Sequence, residues 1–207
     1  MALDRDLTSA FTMSRSTDAK TRILDVALDL FHAQGVKATG LDQILKASET
    51  GKSQFYHYFE DKDDLVLAVM HHFVAKLTSG EIPLKRDLSS LRDLEDWFRF
   101  FIGRLAEIDC SRSCPIGTIA SEFDDSSEEL RSTARAIFEK SREPLVKLFD
   151  ALKSKQQLKR GVESHALADF CFTIMQGGML ISKVERNSTA FENAVDQALA
   201  HIRSLRP

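Results

Sequence analysis

The sequence predicts an all-α protein, and three observations support this prediction. Nine glycines and four prolines make up only 13 of the 207 residues, about half of their average usage, so the chain has few helix breakers. Apolar residues recur at spacings of three and four along most of the chain, as they do on one face of a helix. Runs rich in β-branched residues are few. We therefore expect about nine helices, three small ones followed by a larger bundle.

The composition excludes several classes of protein. The chain is 43% hydrophobic and 29% charged, and it is long enough to fold around its own core without a metal or a disulfide. No apolar run approaches the ~20 residues of a membrane span, and no secretory signal is visible. Three cysteines, an odd number, argue against a disulfide scaffold. We expect a cytoplasmic protein with no membrane partner, no metal site and no cofactor.

The charge gives no indication of a nucleic-acid partner. The net charge is −3, and residues 1–60 carry seven Lys or Arg against eight Asp or Glu. Neither half of the chain is a basic module that binds polyanions through bulk charge. A nucleic-acid function therefore has to rest on a motif with local geometry.

A polar tail precedes the first helix. Residues 1–17 show no apolar pattern and are expected to be flexible, and Met13 is an alternative translation start. From Asp18 to Gln34 the apolar residues recur at helical spacing, and Gly35 ends this helix.

Two short helices follow, joined by a four-residue turn. Thr39 offers an N-cap hydroxyl for the first of them, Leu41–Ala47. The second, Lys52–Tyr58, directs Phe55 and Phe59 to the core. Two such helices, propped by a longer first helix, form a helix-turn-helix unit.

The remaining segments predict the larger bundle. Leu88–Ile108 has so wide an apolar arc that we expect it to be central. Ser126 with Glu129 matches a capping box that opens a helix running to about Gln157, with a kink at Pro144. The other predicted helices are Lys62–Thr78, Ile116–Phe123, 162–184 and a last one ending near Leu205.

The second short helix is rich in groups that can meet DNA. In under two turns it presents a cation, hydroxyls, an amide and an imidazole on Lys52, Ser53, Gln54, Tyr56, His57 and Tyr58. A helical hairpin with a purely structural role is the alternative interpretation.

The run T-G-L-D-Q-I-L-K-A-S-E-T-G-K-S-Q-F-Y-H-Y-F-E-D-K-D-D-L (39–65) resembles the DNA-binding domain of the TetR family of bacterial transcriptional repressors. The matching positions are Thr39, Ile44, Lys46, Lys52, Tyr56, Tyr58, Phe59 and Lys62. The departures are Glu49 and Ser53 where the family usually has glycine, and Gly51 where it has serine. The resemblance extends over residues 18–78.

A weaker likeness continues beyond residue 85. C-P-I-G-T-I-A-S-E-F (114–123), followed by S-x-E-L-R (127–131), is similar to a TetR subgroup with a Gly-Cys-rich loop before its sixth helix. The resemblance implies a DNA-binding domain at 18–62 and an effector-binding and dimerisation domain at 63–207. The last two helices would pair with a second subunit, and Gly177–Gly178 would permit close helix approach.

The resemblance also implies roles for individual residues. Phosphate contacts fall on Thr39, Lys46 and Lys62, and the recognition helix is held on the DNA backbone by Lys52, Tyr56 and Tyr58. We expect Ser53, Gln54 and His57 to read base edges, because amide and hydroxyl groups can hydrogen-bond them in the major groove.

The effector pocket is expected to be partly apolar. The residues expected to line it are Trp97, Phe101, Cys114, Ile119, Phe138, Phe170 and Ile174. The alternative interpretation of the aromatic residues among them is that they belong to the core. Cys114 is either an electrophile or oxidant sensor or an inert buried thiol, because reactivity needs a stabilised, accessible thiolate.

These features predict an effector-responsive, sequence-specific repressor that binds a palindromic operator on double-stranded DNA as a homodimer. Release would follow binding of an unknown small molecule or modification of a thiol. A constitutive DNA-binding regulator without a ligand is the first alternative. An enzyme is a distant one, because no catalytic constellation stands out.

Overall fold

The computed structural model describes residues 18–124 and 127–207, and within them the chain forms nine helices and no strand. The prediction of an all-α fold is confirmed. The helices are α1 (Ala19–Gln34), α2 (Leu41–Ala47), α3 (Lys52–Tyr58), α4 (Lys62–Ser79), α5 (Leu91–Glu107), α6 (Pro115–Ala120), α7 (Glu128–Ser154), α8 (Ser164–Glu185) and α9 (Thr189–Ser204). The predicted tail 1–17, the alternative start Met13 and the cap at Ser126 lie outside the described residues.

Helix starts follow ordinary capping chemistry where side chains are available. The Asp18 carboxylate accepts hydrogen bonds from the backbone N–H and the hydroxyl of Thr21, both at 3.0 Å, at the start of α1. Asp61 caps α4 in the same way by accepting from the N–H of Asp64. Each carboxylate satisfies an N–H that has no partner within the helix.

The predicted cap at Thr39 is wrong. The N-cap of α2 is Gly40, and no side chain caps this helix. The Thr39 hydroxyl instead donates to the carbonyl of Gly35 at 2.6 Å, and the side chain is fully buried. Thr39 therefore braces the loop between α1 and α2 rather than the start of α2.

The first of two core clusters joins α1–α4 to α6 and to the first half of α7. Buried residues of α4, among them Leu65 and Val69, pack there with Ile119 of α6 and Ile137 of α7. These α4 residues come just after Lys62, where the sequence places the domain boundary. The core of the predicted DNA-binding domain (residues 18–62, called the DNA-binding head below) is therefore continuous with the neighbouring helices.

The second core cluster holds the bundle of α5, α7, α8 and α9 together. The buried face of α9 lies here, including Phe191 and Ile202. The expectation that α5 is central was wrong: it packs on α8 and α9, while residues such as Arg92, Asp96 and Arg99 stay exposed. Several of its apolar side chains are only partly covered.

Helices α7 and α8 contain the proline and the two adjacent glycines that stand out in the sequence. α7 continues through Pro144, which lies inside the helix. A Cβ at Gly178 of α8 would lie 2.1 Å from Cδ2 of Phe191, whereas one at Gly177 would meet no atom within 4 Å. The close approach that Gly178 permits is therefore with α9 of the same chain. Among the described residues, no helix is long and apolar enough to cross a membrane.

Candidate DNA-binding surface and effector region

Helix α3 presents its polar side chains outward. Phe55 is only 1% exposed and anchors the helix in the core, while Tyr56 beside it is 60% exposed. The ring and hydroxyl of Tyr56 are therefore accessible from solvent. The other exposed members of the predicted DNA-contact set on α3 are Lys52, Ser53, Gln54 and His57, and Tyr58 is half-buried.

Local contacts orient two of these side chains. The Gln54 Oε1 accepts from the backbone N–H of Gly51 at 3.1 Å, so the amide group caps the start of α3. Lys52 Nζ lies 3.4 Å from a carboxylate oxygen of Asp42, and both side chains are largely exposed. An exposed pair of this kind contributes little stability and can exchange its partner for a phosphate.

The turn before α3 adopts the helix-turn-helix geometry despite its unusual residues. Glu49 has a φ of 54°, the left-handed conformation. Glycine adopts this conformation without the steric penalty of a Cβ, which explains why the family pattern has glycine there. The departure at Glu49 therefore leaves the turn intact.

The predicted phosphate contacts outside α3 differ in accessibility. Lys46 is exposed in the last turn of α2. Lys62, the first residue of α4, donates from Nζ to the carbonyl of Val36 at 2.6 Å. Thr39 is fully buried. Lys46 is thus accessible to DNA, Lys62 and Thr39 are less so, and all three phosphate contacts stay predictions.

The residues predicted to line an effector pocket are divided between the two cores. Trp97 is buried in the second core, with Phe101 and Ile174 packed against that cluster. Ile119 is buried in the first core. Cys114 and Phe138 touch both clusters.

Phe170 does not join them. It is 39% exposed, and its ring lies 5.8 Å from that of His201 on α9. Phe172, two residues on, meets Phe138 edge to face instead, with the ring centroids 5.5 Å apart. The structure therefore places Phe170 on the outer surface of the bundle.

Cys114 is a neutral thiol at the start of α6. Its Sγ accepts from the backbone N–H of Gly117 and from Nε2 of Gln176, each at 3.4 Å. Burial raises the pKa of the Cys114 thiol. Arg112, the adjacent cation in the sequence, forms an ion pair with Asp29 of α1. All three cysteines are free, and burial raises the pKa of Cys171 to about 12.

Two family models match the chain over most of its length. The model described as "Bacterial regulatory proteins, tetR family" matches residues 23–69. The model described as "Tetracyclin repressor-like, C-terminal domain" matches residues 90–198, more than half of the chain. The chain belongs to the TetR family.

Individual relatives agree in length as well as in fold. The transcriptional repressor NemR of Escherichia coli K12 is 25% identical over 207 residues, which cover 93% of this chain and 97% of NemR. A crystal structure of a regulatory protein TetR from Rhodobacter sphaeroides has a TM-score of 0.79 at 23% identity, covering 88% of this chain and 98% of that one. A cysteine mutant of the TetR-family regulator CifR, complexed with a 26-bp double-strand operator DNA, has a TM-score of 0.74 at 20% identity, covering 91% and 98%.

In this TetR-family chain a cavity of about 310 Å³ lies at the junction of the DNA-binding head and the rest of the molecule. Its floor is apolar and its rim carries charges of both signs. Of the predicted effector residues it includes Ile119. Its lining also includes Val36, Lys37, Lys62, Val66, Glu122 and Glu129.

Sequence reasoning missed the polar residues at this junction. Glu122 accepts from two backbone N–H groups of the α1–α2 loop. His32 of α1 lies 2.6 Å from the carbonyl of Ser113 through Nε2, and burial lowers the pKa of His32 to about 4. The neutral ring therefore donates its N–H to this carbonyl. No periodicity marks these residues, because their partners lie about 80 positions away in the chain.

The histidines and acidic residues of the described segments do not form a metal site. No group of three or more His, Cys, Asp or Glu side chains there is placed to bind a metal ion. His72, adjacent to His71 in the sequence, is hydrogen-bonded through Nε2 to Asp25 at 2.6 Å, which ties α4 to α1.

Proposed function

We propose that this regulator is an effector-responsive repressor that binds a palindromic operator as a homodimer in the cytoplasm. A small, partly apolar molecule would release it from DNA by reversible binding. The observation that carries the proposal is the polar face of α3, where Ser53, Gln54, Tyr56 and His57 are exposed together. A helix with this inventory of donors and acceptors fits the major groove.

An apolar stripe on α8 supports the homodimer. Leu180, Ile181 and Val184 are 56%, 45% and 75% exposed, and Phe170 lies further along the same helix. Gly177 lies seven residues after Phe170, and the other three follow it after three, four and seven residues, so all five share one side of α8. Exposed apolar residues grouped on one helix face in this way support an association site.

The charge of the chain explains why DNA binding would require a dimer. The net charge is −3, so each subunit can neutralise few phosphates and gains little from counterion release. Two recognition helices on two half-sites roughly double the number of contacts, which favours a palindromic operator.

Reversible ligand binding is better supported than thiol modification. The raised pKa of Cys114 means that little reactive thiolate is present at neutral pH. Phe101 and Phe138 are partly buried aromatic side chains packed against the second core, and side chains of this kind commonly line small-molecule sites.

The constitutive regulator is the second candidate function. Its support is the division of the predicted pocket residues between two cores, with Phe170 outside both. Ligand-dependent release of operator DNA would decide against it. Catalysis has no support beyond the helical scaffold, and we propose none.

The most informative experiment is selection of genomic DNA by the purified protein. We expect the recovered fragments to share an inverted repeat, and a compound screen on that operator would then seek release. Recovery of no common sequence would overturn the proposed function.

Two substitutions in α3 separate base reading from phosphate binding. Gln54→Ala should lose about 1–3 kcal/mol at one base pair and relax the preference there. Lys52→Ala should weaken binding to all sequences alike and reduce the salt slope by about one per subunit. Titrations of the selected operator and of its single-base variants at several salt concentrations measure both. Wild-type behaviour of both variants would show that α3 is not the recognition helix.

A further inference from the structure

The junction between the DNA-binding head and the bundle contains a carboxylate held by backbone amides. Glu122 follows α6, and its two carboxylate oxygens accept from the backbone N–H of Val36 at 3.1 Å and of Lys37 at 2.7 Å. Both N–H groups belong to the loop that follows α1. A carboxylate that accepts two backbone hydrogen bonds in this way forms charge-assisted bonds stronger than those between neutral groups.

Gly35 is required by this arrangement. Its φ of 87° is in the region that favours glycine, and a Cβ at this position would lie 1.9 Å from Oε1 of Glu122. Gly35 therefore ends α1 and at the same time leaves the space that the carboxylate occupies.

The loop that Glu122 holds is tied to the predicted DNA contacts on both sides. The carbonyl of Val36 accepts from Lys62 Nζ at 2.6 Å and from the N–H of Thr39 at 3.1 Å. The Thr39 hydroxyl closes the loop on Gly35 at 2.6 Å. Val36 is therefore one hydrogen bond away from Glu122 on one side and from Lys62 and Thr39 on the other. A displacement of Glu122 would reach both residues through Val36.

The segment that carries Glu122 is attached to α1 at its other end as well. Arg112 pairs with Asp29, and the carbonyl of Ser113 accepts from His32 at 2.6 Å. On its opposite side this segment meets α8, where Gln176 donates to Cys114 at 3.4 Å. Residues 112–122 thus form the polar bridge between the head and the helix that bears the exposed apolar stripe.

We propose that Glu122 is a positioning residue that fixes the orientation of the DNA-binding head relative to α8. In the dimer this orientation sets the separation of the two α3 helices, and with it the half-site spacing that the protein accepts. The inference rests on the proposed function, since it concerns operator binding by the dimer. Glu122 itself touches no DNA in this scheme.

Two variants and one control test the inference. Glu122→Ala removes both acceptors, whereas Glu122→Gln keeps the side-chain length and one acceptor oxygen. Glu129→Ala is the control, because Glu129 is an exposed carboxylate on the rim of the same cavity. Circular dichroism and thermal unfolding establish that each variant folds.

The first readout does not involve DNA. Amide hydrogen exchange at Val36 and Lys37 should be about tenfold faster in E122A than in the wild type and E129A, with exchange in α8 unchanged. E122Q should lie between them. Unchanged exchange at Val36 and Lys37 in E122A would overturn the inference.

The second readout uses the operator that the wild type selects, and versions with the spacer one base pair longer or shorter. We expect the wild type to prefer the original spacing, and E122A to lose about tenfold of that preference while binding one half-site normally. A merely destabilised protein would bind every spacer proportionally less. Wild-type spacing preference in E122A would overturn the inference and leave the proposed function standing, whereas a wild type that selects no DNA would overturn the proposed function itself.

Discussion

The reactivity of Cys114 distinguishes release of DNA by ligand binding from release by thiol modification. Its thiol caps α6 by accepting from the N–H of Gly117, and burial raises its pKa. Since the thiolate is the reactive form, we expect the folded protein to react with N-ethylmaleimide at pH 7 at least about tenfold more slowly at Cys114 than the unfolded chain. Mass spectrometry of the modified peptide measures both rates.

Cys114→Ser supplies the matched variant, because serine is a good N-cap. We expect it to keep both operator binding and ligand-dependent release. Rapid alkylation of Cys114 in the native protein, accompanied by loss of operator binding, would instead support the thiol sensor.

His32 gives the protein a defined sensitivity to acid. Burial lowers the pKa of His32 from 6.5 to about 4. Between pH 6.5 and pH 4 the unfolded chain is therefore protonated at His32, whereas the folded chain is not. The stabilising contribution of the neutral ring is therefore complete above pH 6.5 and is lost as the pH falls toward 4, by on the order of 3 kcal/mol in total.

The comparison is made with His32→Gln, whose neutral amide can still donate to the carbonyl of Ser113. Urea unfolding at pH 7, 6 and 5 should show that the wild type loses stability more steeply than the variant. Parallel curves would mean that His32 has the same pKa in the folded protein as in the unfolded chain.

Two adjacent glycines on α8 have opposite surroundings. A Cβ at Gly178 would lie 2.1 Å from Phe191, whereas Gly177 faces open space on the exposed apolar stripe. Gly178→Leu should therefore destabilise the subunit by about 3 kcal/mol or more, since the buried helix pair cannot separate without losing its core.

Gly177→Glu should leave the subunit folded but weaken the dimer, because it places a charge within the apolar surface. Analytical ultracentrifugation, together with thermal unfolding of both variants, distinguishes the two effects. A fully dimeric Gly177→Glu variant would show that the subunits associate through another surface.

The helices themselves could largely be predicted, because periodic apolar residues report burial locally. α1, α2, α3 and α4 begin and end within about two residues of their expected bounds. The role of Thr39 could not be predicted, since its loop is held by Glu122 far along the chain. Phe170 was assigned to the pocket because an aromatic residue at helical spacing looks the same whether it faces a core or an outer surface.

The candidate DNA surface could be predicted better than the effector region. The exposure of Gln54 and Tyr56 follows from a helix only seven residues long whose one buried residue is Phe55. The effector residues come from distant helices, and only tertiary packing decides that Ile119 and Trp97 belong to different cores. The roles of Glu122 and His32 could not be predicted either, because tertiary packing alone brings them to their partners.

At the scale of the whole molecule, the first core has a consequence for engineering. Because Leu65 and Val69 of α4 share that core with Ile119 and Ile137, the DNA-binding head does not end where its motif ends. A chimeric regulator joined after Lys62 would pair a foreign α1 with this chain's α4, α6 and α7, and should unfold at a lower temperature than either parent. A transplant that also carries α4 and the buried residues of α6 and α7 should restore the unfolding temperature. The DNA specificity is therefore changed more safely by substituting exposed residues of α3 than by exchanging the whole head.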